Sequence, residues 1–106
     1  MNIAITTRGY KAPARLKNYL QDKLKRLDRF ANRIMGVEAI LSYEKKDQVV
    51  EFKLKTPHKM IIVKEKSEDV FKSIDLAIDN LERQLAKIKE KIKEHDKVKM
   101  VENLVS

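Results

Sequence analysis

The chain has 106 residues, 42% of them hydrophobic, with only two glycines and two prolines, which suits one compact domain with little loop and no second core. It holds no cysteine and two isolated histidines, His58 and His95, which excludes disulfides, thiol chemistry and an all-protein zinc site. A net charge of +8, from 24 basic and 16 acidic residues, points to a nucleic acid or another polyanion as partner.

Asn2 to Thr7 alternates, with Ile3 and Ile5 on one side, and predicts a short first strand. Arg8-Gly9-Tyr10 turns the chain. Pro13 has the fixed φ suited to the first turn of a helix, and Leu16, Leu20, Leu24, Leu27, Ala31 and Ile34 then recur at steps of three and four. This predicts a first helix from Pro13 to Asn32, ended by Gly36. Val37 to Glu44 alternates with Val37, Ala39, Leu41 and Tyr43 on one face, and Gln48 to Lys55 alternates with Val50, Phe52 and Leu54 inward. Lys45-Lys46-Asp47 forms a polar hairpin between them. Thr56-Pro57-His58 makes the next turn, and Met60 to Lys66 is a fourth strand with Ile61 and Val63 inward. Ser67 to Asp69 supplies a capping hydroxyl and two first-turn acids for a long second helix running to Lys93. Phe71, Ile74, Ile78, Leu81, Leu85, Ile88 and Ile92 line one side of that helix.

The order is β-α-β-β-β-α. One amphipathic sheet face and two amphipathic helices satisfy each other as two layers, which predicts an α+β fold with a four-stranded mixed sheet and both helices on one face. The first two strands should be parallel through a right-handed crossover, with hairpins adding the others and the far sheet face polar and wet. The domain is expected to span residues 1–95. Residues 96–106, with Val98, Met100, Val101, Leu104 and Val105, either extend the helix, dock elsewhere or stay disordered.

Charge is unevenly spread. From Lys11 to Arg33 eight bases face two acids, and angular position puts Arg15, Arg26, Arg29 and Arg33 in a band beside the apolar stripe, with Lys23, Tyr19 and Phe30 nearer the core. From Ser67 to Glu82 five acids face one base, whereas from Arg83 to Lys99 seven bases face three acids. The helix dipole favours such a gradient along the axis. It does not require sidedness, yet at about 100° per residue Arg83, Lys87 and Lys91 share one flank while Asp75, Asp79 and Glu82 fall toward the other.

No catalytic constellation stands out. Ser42, Ser67, Ser73 and Ser106 lack a histidine partner, and two glycines cannot build a phosphate-cradling loop. His58 sits in a turn, and Glu44 and Asp47 flank a hairpin where carboxylates are ordinarily solvated. The reading is therefore a binding protein and not an enzyme, with no cofactor, metal or small-molecule substrate. MNIAITTR lacks a signal sequence and no apolar run approaches the roughly 20 residues needed to span a bilayer, so a cytoplasmic protein with no membrane partner is expected. Lys23, Arg26 and Arg29 on the first helix and Arg83, Lys87 and Lys91 on the second are the candidates to meet RNA phosphates. Tyr10 and Tyr19 are the main candidates for base stacking, too few for capture of single strands.

Several of these residues carry a resemblance. Glu68-Asp69-Val70-Phe71, Ile74-Asp75, Leu81-Glu82-Arg83-Gln84-Leu85 and Lys87 resemble the signature helix of the ribosome hibernation promoting factor and ribosome-associated inhibitor family, also called the protein Y family. Asp22-Lys23-Leu24-Lys25-Arg26-Leu27-Asp28 is similar to that family's first helix, and the likeness covers residues 2–93. It implies a layout related to double-stranded RNA-binding domains. It further implies docking on the small ribosomal subunit and its ribosomal RNA, in the channel for messenger and transfer RNA, blocking initiation and preserving idle ribosomes in stress or stationary phase. The matching basic positions are Lys23, Arg26, Arg29, Arg83, Lys87 and Lys91.

Two positions depart from the family pattern. Pro13 stands where a threonine cap is usual, and Glu65 stands where a small residue is common, so Glu65 is expected at the sheet's end in solvent. The chain resembles a short form, or the amino-terminal half of a long one. The alternatives are a general module for duplex or structured RNA without ribosome specificity, and an interaction protein whose basic helices pair with an acidic partner.

Overall fold

Runs of alternating side chains form four strands, β1 (Asn2–Thr7), β2 (Gly36–Glu44), β3 (Asp47–Lys55) and β4 (Met60–Ser67). Helix α1 (Ala14–Leu24) joins β1 to β2, and α2 (Val70–Val105) follows β4. The computed structural model describes the backbone of residues 2–105 and the side chains of residues 2–88. Helix α2 runs on through residue 95, past the expected end at Lys93, and the side chains of Lys91, Ile92, His95 and the apolar tail lie outside the described residues. The sheet order is β1-β2-β3-β4, with β1 parallel to β2 and the other pairs antiparallel. This is the anticipated α+β two-layer arrangement.

Cross-strand register stacks the core in rows. Val37, Leu54 and Ile61 form one row, Ala39, Phe52 and Val63 the next, and all are buried beneath the helices. Leu16, Leu20 and Leu24 of α1 and Ile74, Ile78, Leu81 and Leu85 of α2 close the core from above. Each such side chain contributes roughly 1.5 to 3 kcal/mol when taken out of water. The amino end of α2 is tied to the sheet by the buried Ser73, whose Oγ lies 2.8 Å from the Gln48 carbonyl oxygen and 2.8 Å from Ser67 Oγ.

The first helical segment departs from the expected single α-helix. It is α-helical only to Leu24 and continues as a 3-10 helix over Lys25–Arg33. The reason is spacing: Leu24, Leu27 and Phe30 are all buried and three apart, and a turn of three residues keeps them in line. Phe30, 5% exposed, fills the core position assigned to Ala31, which faces solvent. The segment ends at Ile34, whose extended backbone (φ −106°, ψ 116°) starts the return to the sheet, and the Met35 N–H donates to the Lys55 carbonyl at 2.8 Å. Gly36 is thus the first residue of β2 and not a helix terminator. At the other end Pro13 is the N-cap, with extended ψ of 155°, and its carbonyl accepts from the Leu16 and Lys17 N–H groups.

Turn chemistry explains the remaining corners. Gly9 has φ +87°, which side chains rarely adopt. Lys45 has φ 58°, the left-handed value that a two-residue hairpin asks of its first central residue. Thr56 Oγ1 accepts from the Lys59 N–H at 3.0 Å and donates to the Lys59 carbonyl at 2.7 Å, closing the turn around Pro57. The cap of α2 is Asp69 and not Ser67: the Asp69 carboxylate accepts from the Phe71 N–H at 2.9 Å, while Ser67 closes β4.

Two side chains near the strand ends differ in setting from their neighbours. Tyr43 shares the face of Val37, Ala39 and Leu41 but is 50% exposed, tilted against Tyr10 with ring centroids 4.7 Å apart. Glu65 is on the helix-side face opposite Val50, and the Asn80 amide donates to it at 3.2 Å. The Gln84 amide donates in turn to Asn80 at 3.0 Å, so a polar chain from α2 joins the solvent around the half-buried Glu65, which lines an open groove late in β4. The open sheet face is not uniformly wet either. Ile40 and Val49, each 3% exposed, are diagonal neighbours there, and Glu44 reaches across β3 toward Lys64 and Lys66 at 3.8 and 3.7 Å.

Candidate nucleic-acid interface

The two helices meet along a seam of opposite charge. Asp75, Asp79 and Glu82 are spaced four and three apart, so they share the flank of α2 that faces α1 and the 3-10 segment. Lys23, Arg26 and Arg29, three apart, present cations to that flank. Arg26 Nε lies 2.7 Å from Glu82 Oε1 and its Nη2 lies 3.0 Å from Asp79 Oδ1. Arg29 reaches Glu82 Oε2 at 3.6 Å, and Lys23 reaches Asp75 at 3.6 Å. Hydrogen bonds donated to Asp79 and then to Glu82 raise the Arg26 pKa above its ordinary value.

Tyr19 belongs to the same seam. Its hydroxyl donates to Asp75 Oδ1 at 2.7 Å, and this bond, followed by burial, pushes the phenol pKa up to about 12. The ring stands edge-on to Phe71 at 4.8 Å, Lys23 sits 5.4 Å from its centroid, and Arg15 lies 5.3 Å from the centroid of Phe71. Tyr19 is therefore committed to helix packing and offers no free stacking platform. Tyr10 is likewise packed on Tyr43, and burial, then Tyr43, raises its pKa. The predicted arginine band is divided: Arg15 covers Phe71, Arg26 and Arg29 join the seam, and Arg33 has a buried Nη1 without a hydrogen-bond partner among the described residues.

Arg83 and Lys87 stand apart from this pairing. Both are exposed, one turn apart on α2, and among the described residues neither has a carboxylate within ion-pair distance. An open groove of about 480 Å³ runs over α2 between Arg29 and Arg83, with Leu76, Asp79 and Glu82 in its lining. The structure thus brings Arg29 and Arg83 to one groove and sets Lys23, Arg26 and Arg29 in ion pairs. The acids that neutralise those three cations were legible as a flank of α2 but not as their partners. Among the described residues no cluster of three or more metal-ligating side chains is present, and no helix is long and apolar enough to cross a membrane.

Comparison with known proteins gives this surface a lineage. The model of the sigma 54 modulation protein / S30EA ribosomal protein family matches residues 3–93. A ribosome hibernation promoting factor of Azotobacter vinelandii is 38% identical over 76 residues, 72% of this chain and 71% of that protein. Among solved structures, a ribosomal subunit interface protein from Coxiella burnetii superposes with a TM-score of 0.81 at 29% identity, covering 85% of this chain and 99% of its own. The Thermus thermophilus protein Y N-terminal domain gives 0.76 at 29% identity, over 83% of this chain and 99% of its own. The β-α-β-β-β-α chain belongs to the sigma 54 modulation protein / S30EA ribosomal protein family.

Proposed function

We propose that this protein is a ribosome-associated hibernation factor that docks its helix pair on ribosomal RNA of the small subunit, in the channel for messenger and transfer RNA, and so keeps inactive ribosomes from initiating. The observation that carries the reading is the exposed Arg83 and Lys87 pair, without carboxylate partners among the described residues, on the helix that matches the family's signature. Two cations one helical turn apart on a rigid rod suit phosphates of a folded RNA, whose backbone is read by shape and charge. Lys91 continues that flank one turn further in the sequence. Lys23 and Arg29 form the second bank of the proposed interface, reached by phosphates that displace or bridge their carboxylate partners, with Arg26 between them on Asp79 and Glu82.

Occupation of that channel excludes transfer RNA, which makes competition the direct test. Purified small subunits loaded with labelled transfer RNA should release it as the protein is added, and translation in a reconstituted system should fall over the same concentration range. Binding of small subunits and of arbitrary duplex RNA with equal affinity, without release of transfer RNA, would favour a general RNA-binding module instead.

A further inference from the structure

Arg83 has an acid four residues before it, Asp79, at the spacing and in the order that favour an ion pair along a helix. The structure does not use that pairing. Asp79 Oδ1 instead lies 3.0 Å from Arg26 Nη2, across the helix seam. Glu82, the other acid beside Arg83, is held on the same side by Arg26 at 2.7 Å and by Arg29 at 3.6 Å, and is only 18% exposed. Asp79 and Arg83 line the same groove over α2, and no ion pair joins them.

We infer that Arg26 is a positioning residue of the proposed RNA interface: by drawing Asp79 and Glu82 to the seam, it leaves Arg83 free for phosphate. This rests on the reading of Arg83 as a phosphate contact and adds the residue that keeps it available. Arg26 suits the task because its planar fork donates to two carboxylates at once, one through Nε and one through Nη2. A side chain lacking that charge releases Asp79 to pair with Arg83, one turn along its own helix. The phosphate then has to compete with a carboxylate for Arg83, and the interface loses a contact that Arg26 never makes itself.

A double-mutant cycle separates this from the other roles open to Arg26. Wild type, Arg26→Gln, Asp79→Asn and Arg26→Gln/Asp79→Asn are titrated onto purified small ribosomal subunits at several salt concentrations, with circular dichroism confirming that each is folded. Arg26→Gln is expected to weaken binding roughly tenfold, the scale of one charge-assisted hydrogen bond. It should also make the slope of log affinity against log salt shallower by about 0.9, one phosphate contact. The double variant should recover both the affinity and the slope although the Arg26 ion pairs stay absent, which a loss of fold stability cannot do. An Arg26 that touches phosphate gives no recovery, and an Arg26 that only braces the helices lowers the melting temperature without changing the slope. Either result overturns the inference. The same series on a duplex RNA of about 16 base pairs reads it apart from the ribosomal assignment. If small subunits are not bound but the duplex shows the loss and recovery, the address is wrong and the role of Arg26 stands. Binding to neither removes both.

Discussion

Glu82 on α2 and Arg26 on the 3-10 segment meet at 2.7 Å, and the same carboxylate reaches Arg29 with its other oxygen at 3.6 Å. A side chain 18% exposed and shared between two guanidinium groups is a joint between the helices more than a surface charge. The Glu82→Gln variant keeps the shape, loses the charge and leaves one of the two arginines facing an amide NH2 in place of an acceptor. Thermal unfolding followed by circular dichroism should show a midpoint lower by roughly 5 °C. An unchanged midpoint would mean that the seam does not stabilise the fold.

Tyr19 reports on the same seam through pH. Its neutral phenol donates to Asp75, and its pKa rises from the ordinary 10.0 to about 12. The folded state therefore holds this proton more tightly than the unfolded chain. Above pH 10 the unfolded chain releases it first, so stability falls as pH rises from 10.0 to about 12 and is fully present below that window. Ultraviolet titration of tyrosinate in the native protein should show a late-titrating phenol that Tyr19→Phe abolishes. Tyr19→Phe should cost about 1 kcal/mol at pH 7 and flatten the alkaline decline.

The 3-10 segment makes a prediction that a continuous α-helix would invert. Phe30 is buried and its neighbour Ala31 faces solvent. Phe30→Ala should destabilise the protein by about 3 to 5 kcal/mol, whereas Ala31→Gln should stay within about 0.5 kcal/mol. Chemical denaturation of the two variants checks this, and equal losses would place Ala31 in the core.

These cases show what was legible in the sequence. Alternation along Val50, Phe52 and Leu54 and the step pattern of Ile74, Ile78, Leu81 and Leu85 gave the sheet face and the long helix, because burial acts on every residue of such a run. Spacing alone left two solutions after Leu24: Ala31 continues an α-helix and Phe30 a tighter turn, and the larger side chain takes the core. Strand ends were similarly ambiguous, since Tyr43 has the right parity to face inward yet is 50% exposed. The candidate site was legible one helix at a time. Angular arithmetic gives the acid flank of α2 and the bases around Arg26, but not the rotation of one helix against the other. The pairing of Arg26 with Asp79 and Glu82 therefore emerges only from tertiary structure. The Glu65–Asn80–Gln84 chain was invisible for the same reason, joining β4 to a helix 15 residues on.

Arg83 and Lys87 carry the proposed contact with RNA. Wild type and an Arg83→Glu/Lys87→Glu variant, both exposed-site changes that leave the core untouched, are sedimented with purified small ribosomal subunits through sucrose at moderate salt. Wild type should travel with the subunits, and the double reversal should remain at the top of the gradient while keeping its melting temperature. A folded double reversal that sediments with the subunits as fully as wild type would contradict the assignment of this flank to the RNA.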